Sequence, residues 1–317
     1  MARIPGNRRK RAPVFTVLAV AWAVLGCAPG LETLPPPATQ DLPRRVEIAD
    51  VPFFPQEDYQ CGPASLAIAL THGGVAVRPR DLVGEVYSPA RKGSLAISML
   101  ASARRRGLLA FPLSRLDRVM RELAGGTPAI VLQRLGPPWA RRWHFAVLIG
   151  YDLERQEMIL RSGRTRRLVM PFDEFAATWA PGQNWALVVL PPSRLPESAE
   201  ERTFVAAVFG LERARQFPAA VTGYETALSR WPRSLGAMVG LGNSHYAVGD
   251  LAAAVAAFER ATVAHPTSAV AFNNLAHVLA EMGRRDEAVP IARKAVALGG
   301  PFAALSKTTL REIERGR

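Results

Sequence analysis

Cysteine is scarce in this chain: 317 residues hold two, Cys27 and Cys61. With so few thiols and no Cys-x-x-Cys or His-Glu-x-x-His spacing, the sequence excludes a structural zinc site. It also lacks a P-loop and a dinucleotide fingerprint; Gly125-Gly126 has neither the Lys, the Ser nor the helix context such loops need. No metal and no cofactor are therefore expected. Long apolar runs are scarce too. Val14 to Leu25 is about a dozen residues, short of the roughly 20 that span a bilayer. No acidic residue occurs before Glu32, and the net charge is +13. Residues 1–26 carry five of those charges, so the remainder is about +8. That remainder is nearly all Arg and dispersed, apart from Arg104-Arg105-Arg106 and Arg164-Thr165-Arg166-Arg167. A basic stripe interleaved with aromatic platforms is missing, which argues against nucleic acid as a partner.

What is present at the front is a targeting pattern. Arg3, Arg8, Arg9, Lys10 and Arg11 precede the apolar run, and Val24-Leu25-Gly26-Cys27 closes it with a small residue before a cysteine. This resembles a bacterial lipobox with Cys27 as the lipidated residue. Residues 1–26 then read as signal peptide and 27–45 as a tether. Ala28, rather than Asp, follows the cysteine, which favours the outer membrane of a Gram-negative envelope, with the protein facing the periplasm. Cys61 is then the single thiol left in an oxidising compartment, where a thiol without a task is a liability.

The composition changes near residue 195. Pro191-Pro192-Ser193-Arg194-Leu195-Pro196 reads as a stiff connector, because each Pro fixes φ and none can donate to a ladder. Short β-type runs lie before it and an Ala-rich helical pattern after it. That second part repeats every 34 residues: Ala220, Ala254 and Ala288 recur in step, as do Tyr224, Phe258 and Ala292, and Ala227, Ala261 and Ala295. Pro232, Pro266 and Gly300-Pro301 close the units. The pattern resembles the tetratricopeptide repeat, with about three units over 200–317. Gly242 and Ala276 hold the small position of the first helix, where Val208 departs from it. The first unit is thus atypical, as expected of one that packs on another domain.

Cys61-Gly62-Pro63 opens a helix that runs to His72 and stops at Gly73-Gly74, since Pro is tolerated in a first turn. A thiol at a helix N-terminus is expected to lean toward the thiolate. Five histidines could serve it as base. His245, His265 and His277 lie in the repeats, and His72 is a helix length away from the thiol, roughly 16 Å. His144 opens the apolar strand that runs to Asp152 and is the candidate that can face a cleft.

The motifs VPFFPQEDYQCGPASLA and, about 80 residues on, WHFAVLIGYD resemble the bacteriocin-processing, double-glycine cysteine peptidases. The resemblance implies an α+β papain-like domain, a helix on an antiparallel sheet, over 46–192. It is followed by a linker (193–199) and the all-α repeats. It further implies Cys61 as nucleophile, His144 as general base and Gln56 as the side-chain donor of an oxyanion hole. Gln60 competes with Gln56 but immediately precedes the nucleophile and would have to turn back. The family's orienting Asp is missing. Ser162 falls nearest its place and can fix an imidazole tautomer without supplying charge, so a dyad or a weakly supported triad is expected. Asp152, roughly 26 Å along the strand from His144, cannot substitute.

These readings converge on an envelope-anchored cysteine peptidase whose protein or peptide substrate is recruited by the repeats. Two alternatives stay open at this point. One is a non-catalytic peptide-binding assembly lipoprotein, and the other an acyl transferase or amidase using the same Cys–His pair.

Overall fold

The computed structural model describes residues 40–56 and 60–316; Cys27 lies outside them. Strand β1 (Arg45–Glu47) leads into helix α1 (Cys61–His72), α2 (Pro79–Val86), the short hairpin β2 (Tyr87–Ser88) and β3 (Gly93–Ser94), and α3 (Ala96–Arg105). Then follow β4 (Leu109–Leu113), α4 (Leu116–Ala124), β5 (Ala129–Leu135), β6 (Arg142–Asp152), β7 (Glu157–Ser162), β8 (Thr165–Pro171), α5 (Phe172–Trp179) and β9 (Ala186–Leu190). The larger sheet has the order β4-β9-β5-β6-β7-β8, with β1 added along β6, and every pairing is antiparallel. Strand β6 is long enough to be paired by β5 from Arg142 to Leu148 and by β1 from Gly150 to Asp152.

Alternation along β6 divides the interior in two. Phe145, Val147 and Ile149 pack with α1, α2 and α3 on one face. Ala146 and Leu148 point to the other, where α4, α5 and the first helices of the repeats complete a second core. Helix α1 carries no charged residue before its final His, and Gly62 through Leu70 are all buried. Such a helix, apolar on every side, belongs at the centre of a domain. Gln60 is its N-cap residue, Pro63 sits in the first turn as expected, and Gly73 caps the C-terminus. His72, at the far end, reaches the Gly126 carbonyl with Nε2 at 3.0 Å.

Seven helices form the repeat region: α6 (Glu201–Arg213), α7 (Phe217–Arg230), α8 (Leu235–Ala247), α9 (Leu251–Ala264), α10 (Ala269–Glu281), α11 (Arg285–Leu298) and α12 (Ala303–Arg315). The residues in 34-step register are buried: Ala220, Ala254, Ala288, Tyr224, Phe258, Ala292, Ala227, Ala261 and Ala295. Gly242 faces the Phe258 ring so closely that a Cβ there would sit 2.5 Å from it. In the first unit the small residue has changed helix. Val208 replaces it on α6, and Gly223 on α7 makes room, since a Cβ at Gly223 would lie 2.8 Å from Val208. Tyr224 then turns its ring to Gly240 of the next unit and donates its hydroxyl to Glu212 at 2.9 Å. Val208 shares one core with Leu109 and Phe111 of β4, so the first unit is indeed the one packed on the sheet.

The Pro-rich connector is clasped rather than free. The buried Glu122 carboxylate on α4 accepts the backbone N–H groups of Glu197 (3.2 Å) and Ser198 (2.8 Å) and the Ser198 hydroxyl (2.6 Å). Burial pushes its pKa up against the pull of those hydrogen bonds. Among the described residues no helix is long and apolar enough to cross a membrane.

Candidate active site

The site grows out of a gap in the sheet. Leu132 of β5 opposes Phe145 of β6, but it gives its N–H to Trp185 at 3.2 Å. An antiparallel pair alternates between bonded and unbonded partners. Phe145 therefore turns its N–H and C=O away from β5, toward β7. Pairing of β7 with β6 begins only at Val147↔Arg161, so no strand meets Phe145 there. The N-terminus of α1 fills the vacancy instead. The Phe145 N–H faces the Cys61 thiol and favours its charged form. Its carbonyl accepts from the Ser65 hydroxyl at 3.1 Å and lies 3.5 Å from Gln56 Nε2. Cys61 and the amide of Gln56 thus converge on the residue that follows His144.

The C-terminal end of β7 holds the remaining parts. Ser162 Oγ is 2.9 Å from His144 Nε2. In the tautomer that donates from Nε2 to Ser162, Nδ1 is the nitrogen left to accept a proton. Gly163, at the turn into β8, accepts the backbone N–H of Gln56 at 3.1 Å. Arg161 is buried, bonding the Val51 carbonyl at 3.2 Å with Nη2 and the Arg166 carbonyl with Nη1. It therefore fixes the extended segment that carries Gln56. Asp152 lies at the opposite end of β6, opposite Arg45 and Glu157.

Electrostatics here correct one expectation. The N–H groups of Phe145, Gly62 and Cys61 do favour the thiolate, but burial outweighs them and moves the Cys61 thiol upward from its ordinary value. Burial also takes His144 down to about 4. Desolvation disfavours each charged form, so thiol and imidazole are both neutral at pH 7. Neither group is therefore held in its charged form, and no preformed thiolate–imidazolium is present.

Five neighbouring residues escaped sequence reasoning. Ser65 lies four residues after Cys61, hence on the same helix face, and that spacing was the available signal. Arg161 and Ser94 gave none. Ser94 Oγ packs against Gly62 so tightly that a Cβ there would lie 2.2 Å away, which explains the glycine after the cysteine. Trp143, just before His144, is 54 % exposed, and Trp139 at the tip of the same hairpin is 86 % exposed. Among the described residues no group of three or more His, Cys, Asp or Glu gathers as metal ligands.

Comparison with known proteins follows this division. The sequence profile of the peptidase C39-like family matches residues 48–184, and tetratricopeptide-repeat profiles match 210–269 and 268–299. A solved structure from Bacillus anthracis, described as a C39-like peptidase, is similar at 18% identity and TM-score 0.39 over 47% of this chain and 98% of that one. The peptidase domain of Streptococcus ComA, a bifunctional ABC transporter of a quorum-sensing pathway, is similar at 19% identity and TM-score 0.37, over 44% and 98%. The TPR2B domain of yeast Sti1, solved in complex with pHsp70, is similar at 16% and TM-score 0.34, over 37% and 95%. No curated protein matches. The chain carries a peptidase C39-like domain, helices on an antiparallel sheet, followed by an all-helical tetratricopeptide-repeat region.

Proposed function

We propose that this protein is a cysteine peptidase that cleaves a protein or peptide recruited by its repeats. The observation that carries the reading is the convergence of Cys61 and Gln56 on the Phe145 backbone, beside a histidine held by Ser162. Cys61 Sγ attacks the scissile carbonyl carbon while its proton passes to His144. The Gln56 amide, only loosely held at 3.5 Å by the Phe145 carbonyl, turns to the oxyanion. Collapse breaks the C–N bond, His144 returns the proton to the leaving amine, and a thioester remains on Cys61. Water, deprotonated by His144, then releases the new carboxylate. Trp143 and Trp139 offer apolar contact to side chains near the cut bond.

The test is digestion of a peptide mixture in H₂¹⁸O. Hydrolysis predicts one heavy oxygen in each new C-terminus, whereas products joined to an added amine in place of water would make the protein an acyl transferase. Gln56→Ala is expected to lower kcat by roughly 10²-fold, the usual worth of one oxyanion donor, with KM nearly unchanged. A KM effect alone would move Gln56 from catalysis to binding.

The lipid anchor belongs to the same proposal. Cys27 would hold the protein in the envelope of the cell, its peptidase domain facing the periplasm. Labelled palmitate is expected in the parent protein and absent from Cys27→Ser; equal labelling of both would remove Cys27 from that role.

A further inference from the structure

We propose that Arg104 and Arg213 form a binding site for a small oxyanion at the seam between the peptidase domain and the first repeat. The inference is independent of the catalytic reading. Helix α3 ends in three successive arginines, and two of them share one acid: Arg105 and Arg106 both bond the Glu85 carboxylate. Arg104 turns the other way, across the seam to α6. Its Nε is sealed from solvent and has no hydrogen-bond partner.

The surroundings make room for that guanidinium without neutralising it. It lies on Gly210, where a Cβ would come within 2.5 Å of Nε and 2.6 Å of Cζ, so any larger residue on α6 would expel it. Arg213, three residues on from Gly210, rises from the same helix face and is exposed. The groups that shift Arg104 are burial and Arg213, both pulling its pKa down, and no carboxylate acts on it. Two guanidiniums so placed repel each other in a partly desolvated setting. An oxyanion bridging the two guanidiniums from the solvent side would offset that repulsion, and Arg forks match the geometry of phosphate and carboxylate oxygens. Bound there, it would tie α3 to α6 and so couple the two domains.

The experiment is thermal unfolding of the full chain with inorganic phosphate, and separately with acetate, against chloride at matched ionic strength. Phosphate is expected to raise Tm logarithmically with its concentration, by roughly 5 °C once it exceeds its dissociation constant about 100-fold. The rise is expected to vanish in Arg213→Gln, a surface change that leaves the fold intact, and in Arg104→Met. Both variants should melt no lower than the parent without phosphate, since each removes a repulsion. A matching rise with acetate would extend the site to carboxylates such as a partner's acidic side chain; a rise with phosphate alone would restrict it to phosphate-like anions. No rise, or an equal rise in Arg213→Gln, would overturn the proposal.

Discussion

Cys61→Ala is expected to abolish peptide hydrolysis, by on the order of 10⁴-fold or more, while the protein melts within a few degrees of the parent. Loss of a nucleophile leaves only what binding and the oxyanion donors supply. The thiol is embedded but small, and α1 keeps its packing through Gly62 to Leu70, so stability should scarcely respond. Mass spectrometry of peptide digests, with melting measured on the same samples, reads both quantities. Residual cleavage above one part in a thousand would place the nucleophile elsewhere.

His144→Ala is expected to cost about 10³-fold at pH 7, because the proton of a neutral thiol then has no acceptor at hand. The pH dependence follows from the two shifts. His144 must be unprotonated to act as base, and its pKa lies at about 4. Activity should therefore rise as pH climbs through 4, then hold level across neutrality. Cys61 is displaced upward, so the state in which the pair shares a single proton persists until the pH exceeds the ordinary thiol range. An acid limb near 6.5, the ordinary histidine value, would mean that the imidazole is solvated and the cleft more open than the structure has it. Ser162 adds no charge to support an imidazolium, which keeps the acid limb low and restrains the rate.

The sequence made much of this legible, and its limits have physical causes. The helix from Cys61 to His72 was readable because Pro63 and Gly73 bracket an apolar run. The repeats were readable because a 34-residue period in Ala and aromatic positions has no other economical explanation. Val208 announces an unusual first unit, but Gly223, the compensating residue, is not among the positions that recur every 34 residues. The placement of Ser162 beside His144 was expected from the family resemblance, as the residue nearest the position of the missing Asp. The direction of the Cys61 shift was not. A helix N-terminus can be inferred from the chain, whereas burial depends on the Phe145 strand and the Phe54–Gln56 segment coming together beside it in the fold. Arg104 was equally hidden, since arginines in clusters read as solvated surface until the fold shows which one has turned inward.

The central claim is that Cys61 and His144 act as one proton-sharing pair, and single-turnover acylation of Cys61 by p-nitrophenyl acetate tests it without knowledge of the natural substrate. The account predicts a burst of p-nitrophenolate whose rate rises with an inflection near pH 4 and stays level through pH 8. In His144→Ala that plateau should disappear, leaving a rate that climbs only as the thiol ionises. An identical profile in parent and variant, both rising only at alkaline pH, would contradict the account and leave Cys61 an inert buried thiol.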